Sequence, residues 1–213
     1  MTTPHLLTVN VGLPKQIGVR RGRPVMSAID KRPVAGPHTV QGINITGDEQ
    51  ADLRVHGGPD KAVYAYAAED TSWWNTELGR DDLGPGSFGE NLTTAGVDCT
   101  NAVIGERWRV GTVLFEVCQP RQPCFKLGLH LDDPKILKRF AQASRPGAYL
   151  RILEPGTLEA GDAVEIVDAP DHGVTIRLVA DAILLDHDLA GQAAQASQLP
   201  GPLREWLAER AAG

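Results

Sequence analysis

The sequence predicts a mainly β, α+β protein that ends in a small group of three short helices. Short apolar stretches separated by Gly and Pro dominate residues 1–170, as is typical of strands joined by turns. From residue 171 onward the apolar side chains recur at helical spacing instead. We therefore predict two domains, a β-rich domain at residues 1–170 and a helical domain at residues 171–213.

The first strands are predicted where apolar residues alternate or run together between turn residues. Residues 5–11 alternate with a period of two, and Gly12-Leu13-Pro14 ends that strand. Residues 16–19 and 24–28 are short strand candidates on either side of a basic turn at residues 20–23. We interpret this turn as a solvated hairpin tip. Residues 39–45 form the next predicted strand.

The remaining elements follow from the same patterns. A helix is predicted at residues 69–78, where Trp73 and Trp74 are interpreted as packing residues and Gly79 ends the helix. Further predicted elements are strands at 62–67, 106–110, 112–118, 147–153 and 163–167, a helix at 134–143, and C-terminal helices at 175–185, 188–196 and 202–211.

Composition excludes several classes of protein. The net charge of −6 argues against a nucleic-acid groove or an anionic membrane as the main partner. No apolar run approaches the ~18 residues of a membrane span, and the first ten residues do not resemble a signal peptide. The three cysteines, Cys99, Cys118 and Cys124, form no C-x-x-C motif and suggest no disulfide framework. A reducing compartment, the cytoplasm, is therefore expected.

The most informative stretch is residues 119–126, in which two prolines follow an apolar strand and stiffen the chain. It places Cys124 between two permanent cations, Arg121 and Lys126. Nearby positive charge favours a thiolate, and cations attract an anionic ligand. This pattern indicates a nucleophile or soft metal ligand beside an anion site. The alternative is a small buried hydrophobic residue in a loop.

Two more loops carry candidate ligand-binding residues. In the first, Gly57 and Gly58 lie between His56 and Lys61, so that the backbone could approach an anionic ligand closely. The alternative is an ordinary turn with incidental charges. The second loop offers an acid and an amide for hydrogen bonds to a heterocycle, or is simply a polar turn; its residues are Phe88, Gly89, Glu90 and Asn91.

Common catalytic templates do not fit. No G-x-G-x-x-G pattern follows a predicted strand, and the sequence contains no P-loop motif, so a built-in flavin, nicotinamide or nucleotide site is unsupported. It also lacks the G-x-S-x-G nucleophile elbow and any tight histidine spacing for a metal. If the protein is an enzyme, Cys124 is its best reactive group.

Several of these stretches together resemble the MOSC domain family, and specifically its stand-alone YiiM-like branch. The matching segments, in order, are residues 42–52, 56–64 and 88–93, then 119–121 with 123–124 and 126–127, then 145–147 with 149 and 151, and finally 161–162. The C-terminal segment resembles the three-helix (3-alpha) domain of that branch. The sequence departs from common members at Thr71, where an aromatic residue is usual, and at Phe125, where Trp is frequent. Phe125 follows Cys124 directly and could alter the substrate pocket.

The resemblance implies a MOSC-type β-barrel with peripheral helices and a bound molybdenum cofactor (molybdopterin). Cys124 would be the molybdenum ligand and the catalytic residue, since a thiolate is a soft donor. Phosphate and pterin contacts would come from the residues that the two loops and the Cys124 stretch supply: His56, Gly57, Gly58, Lys61, Phe88, Gly89, Glu90, Asn91, Arg121 and Lys126.

The implied activity is a molybdenum-dependent reduction of N-hydroxylated compounds, such as hydroxylaminopurines, hydroxylamines or amidoximes. Because no flavin or nicotinamide motif is present, electrons are expected from a separate reductase, a flavoprotein or an iron–sulfur protein. Two alternatives remain open. The domain could carry sulfur as a Cys124 persulfide or hand over the cofactor, or it could be a thiol enzyme with His56 as the base.

Overall fold

The computed structural model describes residues 3–51 and 57–213, and these residues form a mixed α+β fold. The strands are β1 (His5–Val11), β2 (Lys15–Arg20), β3 (Arg23–Ser27), β4 (Arg32–Val34), β5 (His38–Gln41), β6 (Asn44–Ile45), β7 (Val63–Ala67), β8 (Leu92–Ala95), β9 (Arg107–Val110), β10 (Val113–Pro120), β11 (Ala148–Glu154), β12 (Gly156–Leu158) and β13 (Val164–Asp168). The α-helices are α1 (Ala68–Leu78), α2 (Phe125–His130), α3 (Ile136–Ala143), α4 (Ile176–Leu184), α5 (Ala190–Ala193) and α6 (Gly201–Ala212).

One large sheet organises the fold. Its eight strands lie in the order β13-β9-β10-β11-β7-β8-β1-β4, and only the β7–β8 pair is parallel among the pairs in the described part of the chain. Strand β10 is buried at every position, which explains its continuous apolar sequence. Strands β12, β5 and β6 form a small second sheet, and β2 pairs only with β3. The mainly β, α+β prediction is therefore confirmed.

The closed barrel that the resemblance implies is not found in the described residues, which form an eight-stranded sheet with β13 and β4 as its outer strands. The start of β1 does approach the start of β13, because the Leu6 amide donates to the Asp162 carbonyl oxygen at 2.8 Å. His5 and Ala163 form a single isolated bridge there. Residues 9–11 of β1 pair with β4 instead, so too few residues remain for a continuous closing ladder.

The C-terminal helices share the hydrophobic core of the sheet. Side chains such as Ile176, Val179 and Leu207 belong to the same buried cluster as Trp108 and Phe115 of the sheet. Backbone hydrogen bonds of 2.9 Å also join residues 174–177 to residues 100–104. The helical segment thus completes the core of the sheet. The division into two domains between residues 170 and 171 stays a prediction. No described helix combines the length and the apolar character needed to span a membrane.

A second, largely aromatic cluster supports the end of the sheet that carries Cys124. Trp74 of α1 is fully buried and stacks on Phe140 with ring centroids 6.0 Å apart. Its Nε1 donates a hydrogen bond of 2.8 Å to the Tyr66 hydroxyl. Phe88 lies 4.8 Å from the Tyr66 ring. The predicted packing role of Trp74 is thus confirmed. The rings of Tyr66, Trp74 and Phe140 surround Phe88 and hold it in place.

We expect Gly147→Ala to lower the free energy of unfolding by about 2–4 kcal/mol, measured by urea denaturation. Gly147 has a φ of +64°, and an added Cβ would lie 2.6 Å from Tyr66 Cδ2 and 2.7 Å from the Ala65 carbonyl oxygen. Gly79→Ala is the control, because Gly79 has a φ of +62° but open space around the Cβ position. Equal losses in the two variants would contradict the steric part of this prediction.

Candidate functional site

Six of the predicted site residues line one cleft, which has a cavity volume of about 90 Å³. These residues are Lys61, Gly89, Asn91, Arg121, Cys124 and Lys126. They come from the Gly-rich loop, the 86–91 loop and the segment after β10, which the strand order of the sheet brings together. The three loops chosen from sequence therefore meet around the Cys124 thiol.

Cys124 is the accessible thiol of the protein. The chain leaves β10 at Pro120, and Cys124 immediately precedes helix α2, where its carbonyl oxygen accepts the Leu127 amide at 2.9 Å. Its side chain is partly exposed, whereas Cys99 and Cys118 are buried. Burial raises the pKa of both buried thiols to about 12, so they stay protonated and unreactive near neutral pH. A thiol-dependent reaction is therefore confined to Cys124.

Arg121 is a buried cation that ties two of the loops together. Its Nη1 donates a hydrogen bond to the Phe88 carbonyl oxygen, and its guanidinium lies 5.1 Å from the centre of the Tyr64 ring. Gly89 has a φ of +74°, and an added Cβ would come within 2.7 Å of Ile29 Cγ1. Glycine is thus required where the loop passes between Ile29 and Arg121.

Lys61 is carried by a short 3₁₀ helix, Pro59–Lys61, that follows the double glycine. Gly58 has a φ of +93°, and its amide donates to Gln50 Oε1 at 3.0 Å. Arg151 Nε donates to Asp60 Oδ1 at 2.5 Å and anchors the same turn. Burial lowers the pKa of the Lys61 ammonium, although the Asp60 charge opposes that shift. His56 was also predicted to be a site residue in this loop, and it lies outside the described residues.

Asn91 belongs to a buried polar network at the floor of the cleft. Its Nδ2 donates to Asp48 Oδ2 at 3.0 Å, and Asp48 Oδ1 accepts the Gly12 amide at 2.8 Å and an ion pair from Lys31. Lys31 is only 8% exposed, and burial lowers the pKa of its ammonium against the opposing Asp48 charge. The network links residues far apart in sequence and holds Asn91 in place.

The structure places Phe88 and Glu90 behind the cleft lining. Glu90 Oε1 accepts the Gly86 amide at 2.6 Å and the Thr93 hydroxyl at 2.9 Å, while Oε2 accepts the Phe88 amide at 3.0 Å. Burial raises the pKa of this carboxyl, and the hydrogen bonds oppose the shift. The Glu90 carboxylate therefore holds the 86–90 loop in shape. Both of its oxygens accept hydrogen bonds from the protein.

Sequence reasoning missed several polar residues that line the cleft, among them Lys31, Asp48, Tyr64 and Tyr149. Asp48 lies just after the predicted strand at residues 39–45, and Lys31 belongs to none of the sequence motifs. Burial raises the pKa of both tyrosines, and the nearby Arg121 opposes that shift. Of these four, only Asp48, Tyr64 and Tyr149 had a sequence signal, because they fall in the segments that carry the family resemblance.

The lining can hold an anionic group beside a soft ligand. Four cations and two carboxylates face the cleft: Lys31, Lys61, Arg121 and Lys126, with Asp48 and Glu49. In the part of the chain that the structure describes, no three His, Cys, Asp or Glu side chains converge on a metal position. Cys124 is the soft donor that lines this cleft.

Comparison with known proteins gives a consistent result. The profile of the MOSC domain matches residues 52–165, more than half of the chain. YflK of Bacillus subtilis (strain 168) is 36% identical over 172 residues, which are 81% of this chain and 77% of YflK. The crystal structure of YiiM from Geobacillus stearothermophilus superposes with a TM-score of 0.79 at 30% identity and covers 98% of this chain and 99% of that one.

A further relative carries a functional name. A protein of Gibberella moniliformis (strain M3125 / FGSC 7600) that is named "Reductase" is 35% identical over 168 residues. The match covers 78% of this chain but only 29% of the fungal protein. The chain thus corresponds to less than a third of that relative.

Proposed function

Because the chain belongs to the MOSC domain family, we propose that it binds a molybdenum cofactor through Cys124 and reduces N-hydroxylated compounds. The overall change is R–NHOH + 2 e⁻ + 2 H⁺ → R–NH₂ + H₂O. Candidate substrates are hydroxylaminopurines, hydroxylamines and amidoximes. The single observation that carries the proposal is one accessible thiol at a cleft that also presents several cations. The name of the fungal relative supports an oxidoreductase.

The residues of the cleft fit such a cofactor. The Cys124 thiolate is a soft donor for molybdenum, and the pterin phosphate calls for cations and backbone amides. Lys61, Lys126 and Arg121 supply the cations. Gly89 keeps the backbone free of a side chain at the point where Ile29 and Arg121 pack against it. Asn91 is one of two side-chain amides that line the cleft, with Gln50, and would contact the pterin edge.

When bound, the cofactor supplies the two-electron chemistry at the metal. The protein would position the substrate beside the Cys124 segment and the two tyrosines, Tyr64 and Tyr149, which also line the cleft. Lys61 can hold a proton near the substrate, and its lowered pKa makes it a better proton donor than an exposed lysine. Electrons would come from a separate flavoprotein or iron–sulfur reductase in the cytoplasm.

We expect protein from a host that makes the cofactor to contain close to one molybdenum and one pterin per chain. Metal analysis and fluorescence of the oxidised pterin measure these amounts. With reduced methyl viologen, this protein should convert a hydroxylaminopurine to the aminopurine. Protein from a host that lacks the cofactor is the control and should be inactive. Direct reduction of the substrate by a nicotinamide alone would contradict the need for a separate donor.

The alternative function is that of a sulfur or cofactor carrier, and the same accessible thiol favours it. A persulfide carrier would show the mass of one extra sulfur on Cys124 and no bound pterin. A cofactor carrier would bind the pterin but show no turnover with methyl viologen. The experiment above therefore separates the reductase from both carriers.

A further inference from the structure

A basic hairpin lies against Phe125, and the arginines at its tip do not line the cleft. Strands β2 and β3 form a separate two-stranded unit, with Arg20, Arg21 and Arg23 exposed at its tip. We call this unit the arginine hairpin. The guanidinium of Arg20 lies 4.1 Å from the centre of the Phe125 ring, and Phe125 directly follows Cys124. Among the described residues, none of these three arginines forms an ion pair with a carboxylate.

The sequence of this hairpin is unfavourable for stability. Arg20 and Arg23 are direct cross-strand partners, and like charges in that position repel each other. Arg21 adopts a φ of +51°, a conformation that is costly for a residue with a side chain. The concentration of arginines therefore calls for an explanation other than folding, the more so because the whole chain carries a net charge of −6.

Exposed apolar side chains accompany the arginines. Val19 is 59% exposed and Met26 is 47% exposed, and both belong to the arginine hairpin. Leu13, just before β2, is 58% exposed. Arginine and methionine are enriched at protein–protein interfaces, where apolar residues mix with charged ones. The three arginines also line a pocket with Pro24, Val25 and Phe125. The exposed apolar side chains around it suit a protein partner.

We propose that the arginine hairpin is the docking surface for an acidic electron-carrier protein. This inference rests on the proposed function, because it concerns the donor that the reduction requires. An acidic carrier complements the three arginines, and such complementarity steers association and makes it sensitive to salt. A carrier docked on the arginine hairpin would lie next to Phe125, the residue that directly follows Cys124. Each one-electron carrier delivers one electron, so two carriers are oxidised for each N–OH group reduced.

The test compares two donors on the holoprotein. A reduced flavodoxin and a reduced [2Fe–2S] ferredoxin serve as acidic carriers, and reduced methyl viologen serves as a small cationic donor. The variant R21E/R23E leaves Arg20 in its contact with Phe125. We expect the ratio of carrier-driven to viologen-driven turnover to fall at least tenfold in this variant for at least one carrier. The wild-type carrier rate should also decrease as salt is raised from about 25 to about 300 mM.

The matched control is R177E/R204E, which makes the same change of charge at exposed positions on the C-terminal helices. Its ratio should stay within about twofold of the wild-type ratio. An unchanged ratio in R21E/R23E, or an equal decrease in both variants, would overturn the proposal. A defect that appears only as a raised KM for phosphorylated N-hydroxylated substrates would also overturn it, because the arginines would then bind the substrate.

Binding of the oxidised carriers to cofactor-free protein, measured by calorimetry at low and high salt, tests docking without turnover. Salt-sensitive binding that R21E/R23E loses and R177E/R204E keeps supports the docking surface even if the reductase activity itself is absent. No salt-sensitive binding of either carrier to the wild-type protein contradicts it. Lack of molybdenum and of viologen-driven turnover in the wild type is instead a failure of the proposed function.

Discussion

Cys124→Ser is expected to reduce the molybdenum content of protein from a cofactor-producing host to background. Serine has nearly the size of cysteine, but its hydroxyl is a poor ligand for a soft metal centre. Because Cys124 is only partly buried, the stability of the variant should stay within about 1 kcal/mol of the wild type. Metal analysis together with urea denaturation measures both effects.

Cys118→Ala is the control for this experiment. It also removes a thiol, six residues earlier in the chain, but Cys118 is buried and does not line the cleft. We expect this variant to keep its molybdenum after correction for the folded fraction. Full metal content in Cys124→Ser would show that the cysteine is not the ligand. Equal loss in both variants would point to a general defect in folding.

Asp48→Ala is expected to destabilise the protein by about 3–5 kcal/mol, because it leaves the Lys31 ammonium buried without its ion-pair partner. The Gly12 amide and Asn91 Nδ2 also lose an acceptor. Since Asn91 lines the cleft, cofactor retention should fall as well. Urea denaturation of cofactor-free protein isolates the effect on the free energy of unfolding.

The double variant K31M/D48A provides the control for this prediction. Removal of both charges leaves no unpaired ion in the interior, so part of the lost stability should return. We expect the double variant to be at least ~1 kcal/mol more stable than Asp48→Ala alone. If the double variant loses as much stability as the sum of Lys31→Met and Asp48→Ala, the two side chains are not coupled.

Local patterns predicted most of the strands but not all of the connections. The alternating stretch at residues 5–11 and the continuous apolar stretch at 112–118 became β1 and β10. Helix α2 was missed, because its six residues are too few to show a helical period and follow two prolines. The single bridge between His5 and Ala163 depends on how the sheet curves, which no local pattern encodes.

The same distinction applies to the roles of polar residues. Glu90 and Asn91 are neighbours in sequence and were assigned one shared role, but their side chains point to different surroundings. Glu90 accepts hydrogen bonds from residues within four positions of itself, whereas Asn91 contacts Asp48 and lines the cleft. The direction of a side chain in a loop depends on the tertiary packing, so the sequence could not separate the two.

The sequence by itself determined the chemistry of the candidate site. A thiol between Arg121 and Lys126, and several loop motifs in a fixed order, identify a family because covalent identity and local spacing are properties of the chain. The tertiary structure alone decided which thiol is accessible, that Lys31 and Asp48 form the floor of the cleft, and that a basic hairpin lies against Phe125. These features arise from contacts between distant segments, whose free energy depends on burial and geometry in the folded protein.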